Sequence, residues 1–211
     1  MCLRVLWTLL CLCMASLAGA QDAVRYRVDV SLDWQAADPG LNAHWSRLIA
    51  FAHSSRYALF TDGATASSGL ALVATNGRVS VLEAELAEAR RRGRAGMPVV
   101  LPGIETGAGT FTFELDLDEK LSRVSLATML APSPDWFSGV SGVALRAGET
   151  WQDEVRVPLW PWDAGADGGA DYQGPNLETQ PRQSVRLLTH PDFLTPDGLA
   201  PIGQVTFTRL P

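Results

Sequence analysis

Thr110-Phe111-Thr112-Phe113-Glu114-Leu115-Asp116-Leu117 decides the fold class. Phe111, Phe113, Leu115 and Leu117 alternate with Thr110, Thr112, Glu114 and Asp116. A period of two puts the first set on one face of a strand and the second on the other, the pattern of a sheet with one buried face. The same alternation opens the chain, with Val24, Tyr26, Val28, Val30 and Leu32 set against Arg25, Arg27, Asp29 and Ser31. It returns in Arg123 to Leu130, where Val124, Leu126, Thr128 and Leu130 share a side. Val140 to Leu145, Asp153 to Leu159, Ser184 to Leu188 and Gln204 to Thr208 read as further short strands. Strands of this length separated by Gly/Pro turns predict a mostly β protein, an antiparallel β-sandwich.

One or two helices are expected in the first half. Val79, Leu82, Leu86 and Ala89 recur at helical spacing. Glu83, Glu85 and Glu88 come early and Arg90, Arg91 and Arg92 late, an order that complements the helix dipole, and Gly93 is a natural stop. That ordering favours a solvated helix end over a binding site for the arginine run. His44 to Ser55 is expected to carry the second, short helix.

Arg4 precedes an apolar run from Val5 to Leu17, too short to span a bilayer, and Ala18-Gly19-Ala20 supplies small residues for cleavage. Residues 1–20 therefore read as a signal peptide and residues 21–211 as one domain, secreted or periplasmic. Cys2, Cys11 and Cys13 all fall in the segment removed, which leaves no thiol for a disulfide or a thiolate metal site. The formal charge is −6 and no Lys/Arg stripe interleaves with aromatics, which argues against nucleic acid as a partner. The Ala-rich and Arg-rich composition and compact leader are of bacterial type.

Acidic residues gather at three turns. Asp116 ends its strand, Asp135 lies in Ala131-Pro132-Ser133-Pro134-Asp135-Trp136-Phe137, and Asp163, Asp167 and Asp171 lie in a Gly-rich segment. Calcium takes about six to eight oxygen ligands, typically from carboxylates and carbonyls on loops. Asp and Gly are also ordinary turn residues. The segment from Asp163 resembles an EF-hand loop only in part: acids stand first and fifth and Gly sixth, but Gly165 is third and Gly174 occupies the twelfth position, where Glu is required. His44, His53 and His190 have no metal-binding spacing. His53-Ser54-Ser55 suggests a base beside a nucleophile, yet neighbours in sequence rarely face each other. Gly139-Val140-Ser141-Gly142-Val143 holds only part of a nucleophile elbow. A calcium-dependent hydrolase using His44 or His53 is thus the alternative to a non-catalytic protein. A third reading, by analogy between sandwiches, is a lipid contact through Trp160 and Trp162 beside the Asp163 loop.

At these same segments the chain resembles the spondin domain of F-spondin and mindin. The words that carry the resemblance are Asn42-Ala43-His44-Trp45-Ser46, Ala52-His53-Ser54-Ser55, Pro132-Ser133-Pro134-Asp135-Trp136-Phe137 with Gly139-Val140, and Pro161-Trp162-Asp163-Ala164-Gly165-Ala166-Asp167-Gly168-Gly169. Pro175-Asn176, Thr179 and Pro181 follow in order. The resemblance implies a C2-like sandwich with a calcium ion near one end, held by Asp116, Asp135 and Asp163, with Glu114 and Asp118 competing for the first position. It further implies a non-catalytic adhesion or recognition module with an extracellular protein or glycan as ligand. The sequence lacks the thrombospondin-type repeats and the cysteines of the vertebrate relatives.

Overall fold

A computed structural model describes residues 23–34 and 42–211. The expected signal peptide lies outside the described residues, as does the Pro39-Gly40 loop. The strands in chain order are β1 (Val24–Asp33), β2 (His44–Trp45), β3 (Leu48–His53), β4 (Val99–Leu101), β5 (Ala108–Leu117), β6 (Arg123–Ala131) and β7 (Trp136–Ala144). There follow β8 (Arg146–Ala147), β9 (Thr150–Trp151), β10 (Glu154–Asp163), β11 (Arg186–Leu187), β12 (Leu194–Thr195), β13 (Gly198–Leu199) and β14 (Gly203–Arg209). Two α-helices, α1 (Ser68–Asn76) and α2 (Ser80–Arg91), sit between β3 and β4.

The hydrogen-bonded order is β4-β3-β6-β7-β10-β14-β1-β5, all antiparallel. β10 belongs to both halves of the sandwich. Glu154 to Leu159 pair with Thr208 to Gly203 of β14, and Trp160 to Asp163 then pair with Gly139 to Trp136 of β7. The strand thereby leaves one sheet and joins the other. Pro158 and Pro161 lie at this transfer, where a residue without an N–H is tolerated. The strand expected over Asp153 to Leu159 thus runs four residues further, and Asp163, expected in a loop, is its last residue.

The two halves enclose one core. Tyr26, Val28, Val30, Phe111, Phe113 and Leu115 from β1 and β5 pack against Ala50, Ala52, Val124 and Leu126 from β3 and β6. A second cluster joins the outer face of β3, β6 and β7, through Ile49, Phe51, Ala127 and Phe137, to Leu70, Val73, Leu82 and Leu86 of the helices. This layer corrects the helix expected over His44 to Ser55. Leu48-Ile49-Ala50-Phe51-Ala52-His53 is a strand buried on both faces, so it shows no alternation. Arg123 to Ala131 is likewise buried on both sides beyond its first residue.

α2 is the helix the sequence predicts; α1 carries no comparable signal. It is Gly- and Val-containing, buried at Gly69, Leu70, Ala71, Val73 and Ala74, and starts at Ser67, whose Oγ accepts from the Leu70 amide at 3.1 Å. Glu85 of α2 also caps it: Ser67 Oγ and the Gly69 amide each donate to that carboxylate at 2.7 Å. The helices meet so closely that a Cβ on Gly69 would stand 2.6 Å from the Leu82 Cα. Gly69→Ala should therefore destabilise the fold by about 1–3 kcal/mol through overpacking, against the gain of up to about 1 kcal/mol that helix propensity alone offers. Urea denaturation of the variant reads the sign.

Candidate metal centre

Asp135 enters the core through the turn between β6 and β7. Ser133 closes that turn, its Oγ accepting from the Trp136 amide at 3.1 Å. Trp136 is held in an aromatic cluster with Tyr172, His190 and Phe193. Between these anchors Asp135 is fully buried. Its Oδ2 accepts from the amides of Ala166 at 2.6 Å and Asp167 at 3.0 Å, and its carbonyl accepts from the Ala164 amide at 3.2 Å. Its Oδ1 is buried with no hydrogen-bond partner.

The loop supplying those amides follows β10. Asp163 stands opposite Trp136 on one side and Arg186 on the other. Its Oδ1 accepts from the Gly165 amide at 2.7 Å, while its Oδ2 takes Arg186 Nε at 3.1 Å and Nη2 at 2.9 Å. Gly165 has φ +68°, and a Cβ there would lie 2.4 Å from the Gln183 carbonyl oxygen, so only glycine fits. Asp167 is also buried; its Oδ1 accepts from Gly169 N at 2.8 Å and from Leu177 N at 3.1 Å. The loop thus buries three carboxylates, Asp135, Asp163 and Asp167, at one end of the fold, with Arg186 paired to Asp163 alone.

Asp116 is not brought to this region. It stands across from Arg25 and pairs with it at 2.7 Å on an exposed face of the sheet edge. Along β1 and β5 the register runs from Arg25 opposite Asp116 to Asp33 opposite Ala108, eight residues or roughly 26 Å. The Ala108 end is the one near Asp135, since Trp34 stacks on Tyr172, which touches Trp136. Glu114 also faces Arg25, at 3.6 Å, and Asp118 accepts from the amides of Lys120 and Leu121 at 2.8 Å. All three acids weighed for the first ligand position therefore lie away from the other two. Asp167, noted in the sequence as the fifth residue of a partial loop, is the third carboxylate the fold delivers. Arg186 had no sequence signal beyond lying in a short predicted strand.

A calcium ion fits this donor set in part. Asp135 Oδ1 is an orphaned anionic acceptor, and each carboxylate that already accepts an amide keeps further lone pairs. Against this, among the described residues no group of three carboxylate, imidazole or thiol side chains is placed so that it could hold a metal ion as it stands. Two open grooves of 430 and 320 Å³ flank the loop, the first reaching Asp167, Pro134, Glu178 and Arg182 and the second Asp163, Arg186 and His190.

The hydrolase reading fails on exposure. His53 Nε2 does meet a serine, Ser125 Oγ at 2.7 Å, but both residues are fully buried and neither lines a groove described above. His53 Nδ1 donates to the Ser54 carbonyl at 2.8 Å, so Nε2 is the acceptor for the Ser125 hydroxyl, and Ser125 Oγ accepts from Gly142 N at 2.9 Å. The pair spans the irregularity between Val124 and Leu126 in the β6–β7 register and is a structural brace. His44 bonds the Asn42 carbonyl at 2.7 Å, and His190 caps a short turn at Pro191–Phe193. Trp160 and Trp162 are half-buried strand residues, not loop tips, and Trp162 packs on Phe60.

Over residues 25–196 the sequence matches the family described as Spondin_N. It is 32% identical to rat spondin-2, covering 98% of this chain and 71% of that protein, and 32% identical to human spondin-2, covering 92% and 64%. Mouse spondin-1 is 34% identical over 79% of this chain and 22% of its own length. The chain belongs to the spondin-domain family. No helix among the described residues is long and apolar enough to cross a membrane.

Burial, followed by the charge of Asp163, pushes the Asp135 carboxyl up from 3.8 to about 6, against the pull of the two amides. A carboxyl whose folded value is raised is happiest protonated. Its penalty is absent below pH 4, grows as pH rises toward 6 and is complete above it. In chelator, stability should fall by about 3 kcal/mol across that window from this group. Denaturant midpoints measured against pH should show the slope in the native chain and lose it in Asp135→Asn.

Proposed function

We propose that the chain is an exported calcium-binding recognition module, acting at the cell surface or in the periplasm, with Asp135, Asp163 and Asp167 as the carboxylate ligands. The single observation that carries this is the buried, unpartnered Oδ1 of Asp135 beside two further buried carboxylates. The charges of Asp163 and Asp167 both act against that of Asp135, and one arginine on one Asp163 oxygen offsets only part of that. A divalent cation, when bound, supplies the remaining positive charge and oxygen coordination. The chain's own residues do the rest. Ser133 and Trp136 hold the turn, Gly165 lets the backbone fold inward, and the amides of Ala166 and Asp167 orient Asp135.

In this reading the ion locks the β6–β7 turn to the loop after β10 and fixes the walls of both flanking grooves. A ligand on an extracellular protein or glycan would be recognised there, by loops whose shape depends on the metal. The kinship with spondin-1 and spondin-2 supports a recognition role over a catalytic one.

Calcium should raise the melting temperature of the native protein. Asp135→Ala, Asp163→Ala and Asp167→Ala should each abolish that rise, and Asp116→Ala should leave it intact. Differential scanning fluorimetry with calcium, magnesium and chelator reads this out. A native protein whose melting is indifferent to calcium would sink the proposal, and loss of the shift in Asp116→Ala would restore the ligand set implied by resemblance.

A further inference from the structure

The end of α2 carries more positive charge than its helix requires. Arg90, Arg91, Arg92 and Arg94 are all exposed. Arg56, also exposed, joins them, because the Ser54 amide donates to the Arg94 carbonyl at 2.9 Å and the Arg56 amide donates to Ser54 Oγ. Glu88 pairs with Arg91 and Arg92. Arg56, Arg90 and Arg94 have no ion pair among the described residues. Five guanidiniums thus face one carboxylate and the roughly half charge of a helix C-terminus. The neighbouring turn offsets them little: Glu119 is paired with Arg146 at 2.8 Å, and Asp118, held by backbone amides, contributes one negative charge with Lys120 two residues on.

Three features select the partner. Arg90 and Arg91 close the helix about 100° apart, Arg92 folds back with Arg91 onto Glu88, and Arg94 and Arg56 lie beyond the helix, so the cluster forms a compact patch and not the line that a polysaccharide or nucleic-acid strand would need. Neither groove beside the carboxylates is lined by them. Met97, three residues past Arg94, is 64% exposed, the highest of the exposed large apolar side chains described. A basic patch followed three residues on by an exposed apolar side chain matches the surface of a bilayer containing anionic phospholipid, where arginine meets headgroup phosphate and methionine meets the acyl boundary.

We propose that this patch docks the protein on an anionic phospholipid surface independently of calcium. The patch lies at the Arg123 end of β6, since His53 is bridged to Ala95 and stands opposite Arg123. Asp135 follows the other end of that strand, eight residues away at Ala131, or roughly 26 Å. Docking through the arginines would turn the carboxylate loop and its grooves away from the bilayer, free to meet a ligand.

Co-sedimentation with vesicles of one part phosphatidylglycerol to two parts phosphatidylcholine tests this, with pure phosphatidylcholine vesicles and dextran sulfate as the other arms. Binding is expected to the anionic vesicles alone, equally in calcium and chelator, and to be lost in high salt. Arg90→Gln with Arg94→Gln should weaken it roughly thirty-fold and Met97→Ser several-fold, while Arg90→Lys with Arg94→Lys should keep most of it. Circular dichroism melts confirm that each exposed substitution leaves the fold intact. The proposal is overturned by no binding to anionic vesicles, by binding that survives the glutamine variant, or by equal affinity for dextran sulfate without dependence on Met97.

Discussion

The buried carboxylate of Asp135 is the constraint on which the functional end of this fold depends. Two amides from a loop some thirty residues further along the chain close on its Oδ2, so a β-turn and a distant loop become one unit. The arrangement is costly by itself. Burial and the charge of Asp163 raise the carboxyl toward neutrality, and only the amide hydrogen bonds oppose them. A fold selected for stability alone would place an apolar side chain here. The oxygen left unpartnered is the atom that the proposed cation would meet.

β10 makes the encounter possible. By leaving β14 and joining β7 within a single strand, it delivers Asp163 beside Trp136, the residue next to Asp135. Had the strand stayed in its first sheet, the two carboxylates would belong to different layers. The loop that follows then turns sharply at Gly165, and the Thr179 hydroxyl and amide hold its carbonyls at Gly165 and Ala166. The chemistry at this end is therefore a product of sheet topology, with local loop composition only completing it.

This explains what could and could not be read from the chain. β1 and β5 were legible because each has one solvent face, and the alternation of Phe111, Phe113 and Leu115 survives in sequence. β3 was mistaken for helix because α1 and α2 cover its second face, and a strand buried twice has no period. α1 was silent because Gly69, Ala71 and Ala74 make up most of its buried side while the apolar Leu72 lies outside it, so composition does not mark the face. Asp135 and Asp163 were legible through the unusual words around them. Asp116 came from the resemblance, as the acid on the strand before the Pro132-Ser133-Pro134-Asp135 words, with Glu114 and Asp118 competing for the place. Its position is decided by the pairing of β5 with β1, which no local word encodes. Asp167 was visible as a loop acid but not as a neighbour of Asp135, since its place depends on the amides of its own loop having been folded onto Asp135.

Arg186 sets the terms on which the carboxylates can act. Its guanidinium holds Asp163 Oδ2 through two donors, yet its side chain is 62% exposed, so the pair is strongly solvated on one side. An ion pair so placed contributes little net stability and exchanges readily. It can therefore neutralise Asp163 while the loop folds and yield that oxygen to a stronger cation without unfolding anything, because the backbone contacts that build the loop, from Gly165, Ala166 and Asp167, do not pass through it. Asp135 has no such exposed partner, and its charge is met only from inside the loop. The asymmetry between the two aspartates separates a residue that keeps the loop assembled from one that is free to change partners.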